Sequence, residues 1–375
     1  MKTLALVDSE AASLVGFRGD LIRVVLGRGH RVVCFAPAAE ASVGPTLTEW
    51  GAEVNNLPLQ RRGLNPLADL TYIVRLWGRF RRLRPDVVMG YTPKPSIYAT
   101  VAARLAGVPN RVPLVTGLGF AFVESGRPTT AFARGIAKLL YWVAFRCATG
   151  SIFQNSENVA HLERLGLVPK SLPVTVVKGS GIALERFPQA PVPPLRGGLI
   201  FVLVARLVRY KGILEYAQAA RALKQDYPST RFVIVGIPEK GPDALTAKEQ
   251  QTVRHSVEVI GPLKVEEVRG VLESAHVFVL PSYEGEGMPR STLEALAVGR
   301  AIVSTRVPGC RETVEEGVNG FLVPARDAEA LEGAMRRFLN DPSLAVRMGP
   351  HSRGIAERDF DVRKVNERMI EALGL

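Results

Sequence analysis

Two carboxylates, Glu286 and Glu294, stand seven residues apart in the stretch Pro281-Ser282-Tyr283-Glu284-Gly285-Glu286-Gly287-Met288-Pro289-Arg290-Ser291-Thr292-Leu293-Glu294. The apolar run His276 to Leu280 before them reads as a buried strand, and Leu293, Leu296 and Val298 after them read as a helix. Glycines let the intervening loop turn tightly and approach a ligand. Pro289 suits the first helical position, where no N–H is needed. A strand, a glycine-bearing loop and a helix N-terminus together hold an anion such as a phosphate. A carboxylate beside a phosphate is no ligand for it, but it accepts hydrogen bonds from hydroxyls. This is the chemistry of a nucleotide-sugar. Glu284 also begins a Glu-Gly pair, yet only Glu286 gives the seven-residue interval to Glu294.

A second charged pair, Arg206 and Lys211, follows the apolar run Leu199–Val204. Two cations at a strand end can neutralise a diphosphate, the arginine as a planar fork and the lysine as a point charge. Arg209 between them is expected to face solvent.

The elements that must position these residues follow a β-α-β rhythm. Strands are expected at Leu4–Val7, Arg31–Phe35, Val87–Gly90, Arg111–Val115 and Ser151–Gln154. After a Pro- and Gly-rich linker at 188–198 they resume at Leu199–Val204, Arg231–Val235, Val257–Ile260, Val277–Leu280 and Ala301–Thr305. This is an α/β chain of two doubly wound, Rossmann-like halves facing across a cleft at the carboxyl ends of their strands. The expected domains are 1–187, 188–356 and a closing helical segment, 357–375, begun by Asp361.

A chain of 375 residues with 47% hydrophobic content supports two sizeable cores. Three scattered cysteines, Cys34, Cys147 and Cys310, fit a reducing compartment. The opening Met1–Val7 is too short for a signal peptide, and no long uncharged apolar run predicts a membrane span. A cytoplasmic location is expected. Of the net charge of +12, residues 1–190 carry 23 Lys+Arg against 12 Asp+Glu, so nearly all the excess lies in the first half. That half is expected to meet an anionic partner. Arg75, Arg79, Arg81, Arg82 and Arg84 interleave with Leu76, Trp77, Phe80 and Leu83. Arg134, Lys138 and Arg146 punctuate an aromatic run that contains Tyr141, Trp142 and Phe145. Both patterns suit helices at an anionic lipid surface, and without a nucleic-acid motif no nucleic acid is expected.

The Glu-x7-Glu segment, with Tyr91-Thr92-Pro93-Lys94-Pro95, Val115-Thr116-Gly117-Leu118-Gly119-Phe120, Gly179-Ser180-Gly181-Ile182, Ala205-Arg206-Leu207 and Pro308-Gly309-Cys310-Arg311-Glu312, resembles the retaining glycosyltransferases of family 4, which have the GT-B fold. The set is similar to the subgroup acting on lipid-linked glycans in capsule, O-antigen or N-glycan assembly. The resemblance implies that Arg206 and Lys211 bind the donor diphosphate, that Glu286 contacts the donor sugar and that Glu294 contacts ribose. It also implies that Gly16, in a loop after the first strand, lies by the donor phosphates. Gly261 and Pro262 would hold the nucleobase. Gly287, Met288, Pro289 and Arg290 would line the phosphates and sugar. Lys94, Thr116, Gly117 and Gly119 fall on the acceptor side, Lys94 as a contact for a polyprenyl diphosphate. The UDP-sugar is then a substrate, no metal or other cofactor is required, and the terminal helix crosses back onto the first domain. The enzyme would work peripherally at the cytoplasmic face of the inner membrane.

Other signals are weak. Asp359-Phe360-Asp361 has an Asp-x-Asp form, but Asp361 is better explained as a helix N-cap. No dinucleotide glycine fingerprint follows the first strand. The five histidines, His30, His161, His255, His276 and His351, form no triad or metal pattern. A UDP-sugar 2-epimerase of the same architecture is the alternative reading.

Overall fold

The computed structural model describes residues 1–60, 65–117, 128–239, 241, 243–283 and 287–375, the side chains of 128–133 excepted. The chain forms two compact units, residues 1–180 with 362–375, and residues 181–361.

In the first unit, strands β1 (Thr3–Val7), β2 (Arg31–Ala36), β3 (Glu53–Asn56), β4 (Val87–Gly90) and β5 (Asn110–Arg111) make a parallel sheet in the order β3-β2-β1-β4-β5. A second parallel sheet runs β6 (Leu114–Val115), β7 (Ser151–Phe153), β8 (Val174–Val176) and meets the first through a bridge between Tyr91 and Leu114. The side-chain alternation of a strand feeds two cores. Leu4 and Leu6 of β1 pack with Leu14, Leu21 and Met369, whereas Ala5 and Val7 pack with Tyr72, Leu76 and Phe80. Burial on both faces is why β1 reads as a continuous apolar run.

The second unit has six parallel strands: β9 (Ile200–Val204), β10 (Arg231–Val235), β11 (Glu258–Ile260), β12 (Val277–Leu280), β13 (Ala301–Thr305) and β14 (Gly320–Val323). Their order, β11-β10-β9-β12-β13-β14, is the doubly wound one, and it reverses between β9 and β12.

The boundaries differ from the expected ones for a packing reason. Ile182, Leu184 and Phe187 are buried in the core of the second unit. The Ala190 N–H donates to Val298 O at 3.1 Å, and the buried Arg300 guanidinium donates to Ala190 O and Pro191 O at 2.8 and 3.0 Å. The Pro- and Gly-rich stretch is thus partly a strap tied to the second unit. At the other end, the Val362–Leu373 helix groups with the first unit, where Val365, Met369, Ile370 and Leu373 enter the core beside the Ala11–Gly27 helix.

The basic helix Pro66–Leu83 also turns otherwise than expected. Leu76 and Phe80 are core, and the exposed apolar row is Leu67, Leu70, Val74 and Trp77. Arg75, Arg79, Arg81 and Arg82 are exposed around it. In the Pro128–Cys147 helix, Tyr141 and Phe145 are buried, while Leu139 and Trp142 are exposed with the Arg146 guanidinium over the Trp142 ring. No helix among the described residues is long and apolar enough to cross a membrane.

His276 lies beside the strap. Its Nδ1 accepts the Ile200 N–H at 3.0 Å, which requires that nitrogen to be unprotonated. Burial, joined by the nearby Arg300 charge, holds its pKa below the usual 6.5. The stability contributed by neutral His276 is intact above 6.5 and is lost as the pH falls through the depressed value. His276→Gln keeps an acceptor without a titrating ring. Its melting temperature should fall less steeply than the wild type's between about pH 7.5 and about pH 5; equal slopes would refute the assignment.

Candidate active site

The carboxyl ends of β9 and β12 are locked together where the strand order reverses. After β9 the chain passes Arg206, makes a tight turn over Arg209–Lys211 and reaches Gly212 at φ +72°. A Cβ on Gly212 would stand 2.2 Å from Pro281 O, so only glycine fits both the backbone angle and the approach. The carbonyl of Tyr210 accepts the Tyr283 N–H at 2.9 Å and the Ser282 hydroxyl at 3.0 Å. The end of β10 closes in as tightly, since a Cβ on Gly236 would meet Ala205 O at 1.9 Å.

Arg206 is about half exposed on this edge. Its Nη1 donates to Glu239 Oε2 at 2.6 Å and its Nη2 donates to the Tyr210 hydroxyl. The Arg206 Cζ and Lys211 Nζ lie 5.9 and 5.7 Å from the centroid of the Tyr210 ring. One aromatic ring therefore organises both expected diphosphate ligands. Tyr210 and Glu239 were not legible as site residues, because a lone tyrosine and a lone loop carboxylate carry no spacing signal. Arg209 corrects an expectation: it does not simply face solvent. It binds Glu249 through two nitrogens, at 2.6 and 3.1 Å, and the Ala244 carbonyl at 2.7 Å, pinning the turn from behind.

Beyond β12, Glu286 lies outside the described residues, together with Glu284 and Gly285. The helix Arg290–Val298 begins one residue later than the sequence implies, with Pro289 as its N-cap, because ψ of 116° keeps that residue extended. No described side chain caps this helix, and its first turn presents backbone N–H groups along the axis. Glu294, one turn in, is only 7% exposed, and its Oε1 accepts the Arg290 Nε at 3.0 Å. Burial pushes its pKa up, opposed by Arg290. Glu294 is thus no ordinary exposed helix carboxylate, and Arg290 orients it. Met288 packs partly into the core. Gly261, at φ +125° beyond β11, stands against Gly236, and Pro262 follows it at the same strand edge.

The remaining expected residues belong to the first unit. Gly16 is not in a loop. It lies inside the Ala11–Gly27 helix, which starts at once after the extended Glu10, and a Cβ there would meet nothing within 4 Å. Lys94 donates to Asp69 Oδ1 at 2.8 Å and to Gln60 O at 3.1 Å, while Tyr98 donates to Asp69 Oδ2 at 2.8 Å. The Lys94 charge is thus paired inside the fold. Thr116 and Gly117 follow β6, and Gly119 lies outside the described residues.

The first unit has a polar centre of its own, missed in the sequence although Asp8 directly follows β1. Asp8 is fully buried, and its Oδ1 accepts the Ser9 N–H at 2.6 Å and the Thr92 hydroxyl at 3.2 Å. Burial pushes its pKa up to about 7, against the pull of Ser9, Tyr91, Thr92 and Arg18.

Two doubly wound parallel units define a protein of GT-B architecture. Among solved structures, the chain superposes on sucrose-phosphate synthase from Thermosynechococcus elongatus with a TM-score of 0.80 at 19% identity, covering 99% of this chain and 98% of that one. It superposes on HepE of Anabaena, solved with UDP-glucose, with a TM-score of 0.76 at 17% identity, covering all of both chains. Residues 19–179 match the family described as Glycosyl transferase 4-like domain, and residues 190–354 match Glycosyl transferases group 1. The chain belongs to these glycosyltransferases of family 4. It is 27% identical over 360 residues (93% of this chain, 92% of the relative) to the N,N'-diacetylbacillosaminyl-diphospho-undecaprenol alpha-1,3-N-acetylgalactosaminyltransferase of Campylobacter jejuni. It is also 27% identical over 321 residues (82% of this chain, 80% of the relative) to the UDP-Gal:alpha-D-GlcNAc-diphosphoundecaprenol alpha-1,3-galactosyltransferase of Escherichia coli.

The contact of Gly212 with Pro281 gives a direct test. Gly166 has a similar φ, +67°, with nothing within 4 Å of its would-be Cβ. Gly166→Ala should cost about 1–2 kcal/mol for the left-handed backbone alone. Gly212→Ala should cost more in denaturant unfolding and should also weaken uridine diphosphate binding in calorimetry. Equal stability losses with unchanged affinity would contradict the locked-loop geometry.

Proposed function

We propose that the chain transfers a hexose or N-acetylhexosamine from a UDP-sugar, with retention, to a polyprenyl-diphosphate-linked glycan in the synthesis of a cell-surface polysaccharide or glycoprotein glycan. The observation that carries this reading is the locked pair of loops after β9 and β12, which sets Arg206, Lys211 and Tyr210 on one strand edge of the second unit. The printed activities of both relatives, each acting on an undecaprenol diphosphate glycan, support the acceptor class. None of the relatives named here is an epimerase, so the epimerase alternative draws no support from them.

In this reading Arg206, Lys211 and the N-terminus of the Arg290–Val298 helix stabilise charge that develops on the departing diphosphate, without a metal. Electrostatic stabilisation by pre-set donors needs no reorganisation as the bond breaks. Glu294, dry and oriented by Arg290, accepts hydrogen bonds from ribose hydroxyls, and Glu286 takes those of the donor sugar. The leaving phosphate receives the acceptor proton on the same face. Radiolabelled UDP-sugars offered with undecaprenyl-diphosphate-linked glycans test the assignment. Arg206→Ala should lower kcat/KM by about 10²-fold or more, the loss typical of one donor to a developing oxyanion. Undiminished transfer would refute it.

We further propose that the first unit rests on the anionic cytoplasmic face of the membrane that carries the acceptor. The first unit holds 25 Lys+Arg against 13 Asp+Glu, and the second 23 against 23, so the whole net charge belongs to the first. The exposed row of Leu67, Leu70, Val74 and Trp77 amid arginines supports insertion beneath anionic headgroups. Leu70→Glu with Val74→Glu should abolish co-sedimentation with phosphatidylglycerol vesicles while leaving the melting temperature unchanged. Full retention of vesicle binding would locate the membrane contact elsewhere.

A further inference from the structure

The first unit also reverses its strand order, between β1 and β4, and Asp8 and Thr92 stand one and two residues beyond those strands. Two separate costs coincide there. Thr92 is held at φ +68° and ψ 152°, a strained region that a β-branched residue rarely adopts. Asp8 is buried, and its Oδ2 makes no hydrogen bond of ordinary geometry among the described residues, the Tyr91 hydroxyl only pulling its pKa down. Removing a carboxylate from water without full compensation is unfavourable. Neither feature is needed to build the sheet, since Leu4–Val7 of β1 pair with all of β4 before either residue is reached.

The network that uses these costs is small. Asp8 Oδ1 gathers the Ser9 N–H and the Thr92 hydroxyl, the Thr92 hydroxyl also meets the Tyr91 carbonyl, and the Ser9 and Thr92 hydroxyls lie 2.9 Å apart. Thr92 is partly exposed on the carboxyl edge, where ligands of doubly wound sheets bind. Asp8 Oδ1 and the Tyr91 carbonyl are both acceptors for the one Thr92 hydroxyl proton, and Thr92 in turn meets the Ser9 hydroxyl, so the rotors of the pair are restricted and their remaining hydrogen-bonding capacity is directed outward. That arrangement suits a neutral, hydroxyl-bearing ligand and repels a phosphate.

We propose that Asp8 is a positioning residue for the acceptor: acting through Thr92 and Ser9, it orients a sugar hydroxyl of the glycan at the switch point of the first unit. This inference rests on the acceptor class proposed above. Asp8 does not touch the ligand itself. The titratable and charged groups facing it are Arg18 from the Ala11–Gly27 helix, Tyr72 from the Pro66–Leu83 helix and Tyr91 beyond β4. Because burial raises the Asp8 pKa to about 7 from 3.8, the destabilisation from its charged form is absent below 3.8 and grows as the pH rises to about 7.

The full chain, assayed with UDP-sugars and undecaprenyl-diphosphate-linked glycans, separates positioning from support of the fold. Asp8→Asn should raise the acceptor KM roughly tenfold, the size of one misdirected hydrogen bond between Thr92 and the ligand, and leave the UDP-sugar KM unchanged. It should also remove the limb near neutral pH from the acceptor kcat/KM profile, and raise the melting temperature at pH above about 7, where the buried charge is removed. Thr92→Val should match the kinetic effect, Thr92→Ser should restore the wild-type value, and the Asp8→Asn/Thr92→Val double variant should add nothing to either single change. Wild-type acceptor KM and pH profile in Asp8→Asn, or an equal rise in the UDP-sugar KM, would overturn the proposal alone. Failure of the wild-type chain to use any such acceptor would overturn the acceptor class and this proposal with it.

Discussion

The close approach of Gly212 to the Pro281 carbonyl is the constraint on which the second unit's site depends. β9 and β12 are neighbours in the sheet, but their following loops diverge into helices on opposite faces, which is what a reversal of strand order means. Left alone, such loops would be the most mobile part of the edge. Here the absence of a Cβ lets the backbones touch, and the Tyr210 carbonyl then ties down Ser282 and Tyr283. The Arg209–Glu249 pair closes the turn from behind. A cation pair set on a pinned turn loses little freedom when it binds a diphosphate, and the entropy that would weaken binding is spent during folding instead.

The same logic gives the partnered residues their meaning. Arg206 and Lys211 both lie over the ring of one tyrosine, which orients two like charges, and Glu239 pairs with Arg206. Glu294 sits where burial opposes its charge, and Arg290 one turn earlier supports that charge. A carboxylate so placed is a strong acceptor for hydroxyls because water does not compete for it. In the first unit, Asp8 stands in a comparable place, and the Thr92 hydroxyl meets it where a cation meets Glu294, the Arg18 charge acting on it as well. The two switch points therefore differ chemically: cations beside a tyrosine line one, and hydroxyls beside a buried carboxylate line the other.

The sequence made the central strands plain because burial on both faces leaves unbroken apolar runs, as in β1, β4, β9, β12 and β13. The edge strand β3, Glu-Val-Asn-Asn, carries no such run; its Asn56 is paired instead with Glu40. The short β8 and the β14 strand opening on Gly320 were missed for similar reasons of length and composition. The placement of Arg206 and Lys211 at one strand end was legible because a strand end and a glycine frame them. Other expectations failed because composition does not encode partners. Lys94 reads as a free cation until Asp69 is brought to it from another helix. Leu76 and Phe80 read as a lipid-facing pair until the helix phase turns them inward and exposes Leu70 and Val74. Gly16 reads as a turn because a glycine hides the helical periodicity of its surroundings. The Pro- and Gly-rich strap reads as a linker until Arg300, buried and with its pKa pushed down to about 10, is found holding its carbonyls.

The central claim is that the second unit grips a diphosphate between Arg206, Lys211 and the mouth of the Arg290–Val298 helix while Glu294 faces ribose. A crystal structure with uridine diphosphate bound measures this most directly. The account predicts both phosphates within hydrogen-bonding distance of Arg206 and Lys211, and a ribose hydroxyl donating to Glu294. A nucleotide seated elsewhere, or one whose ribose leaves Glu294 bound to Arg290 alone, would contradict it.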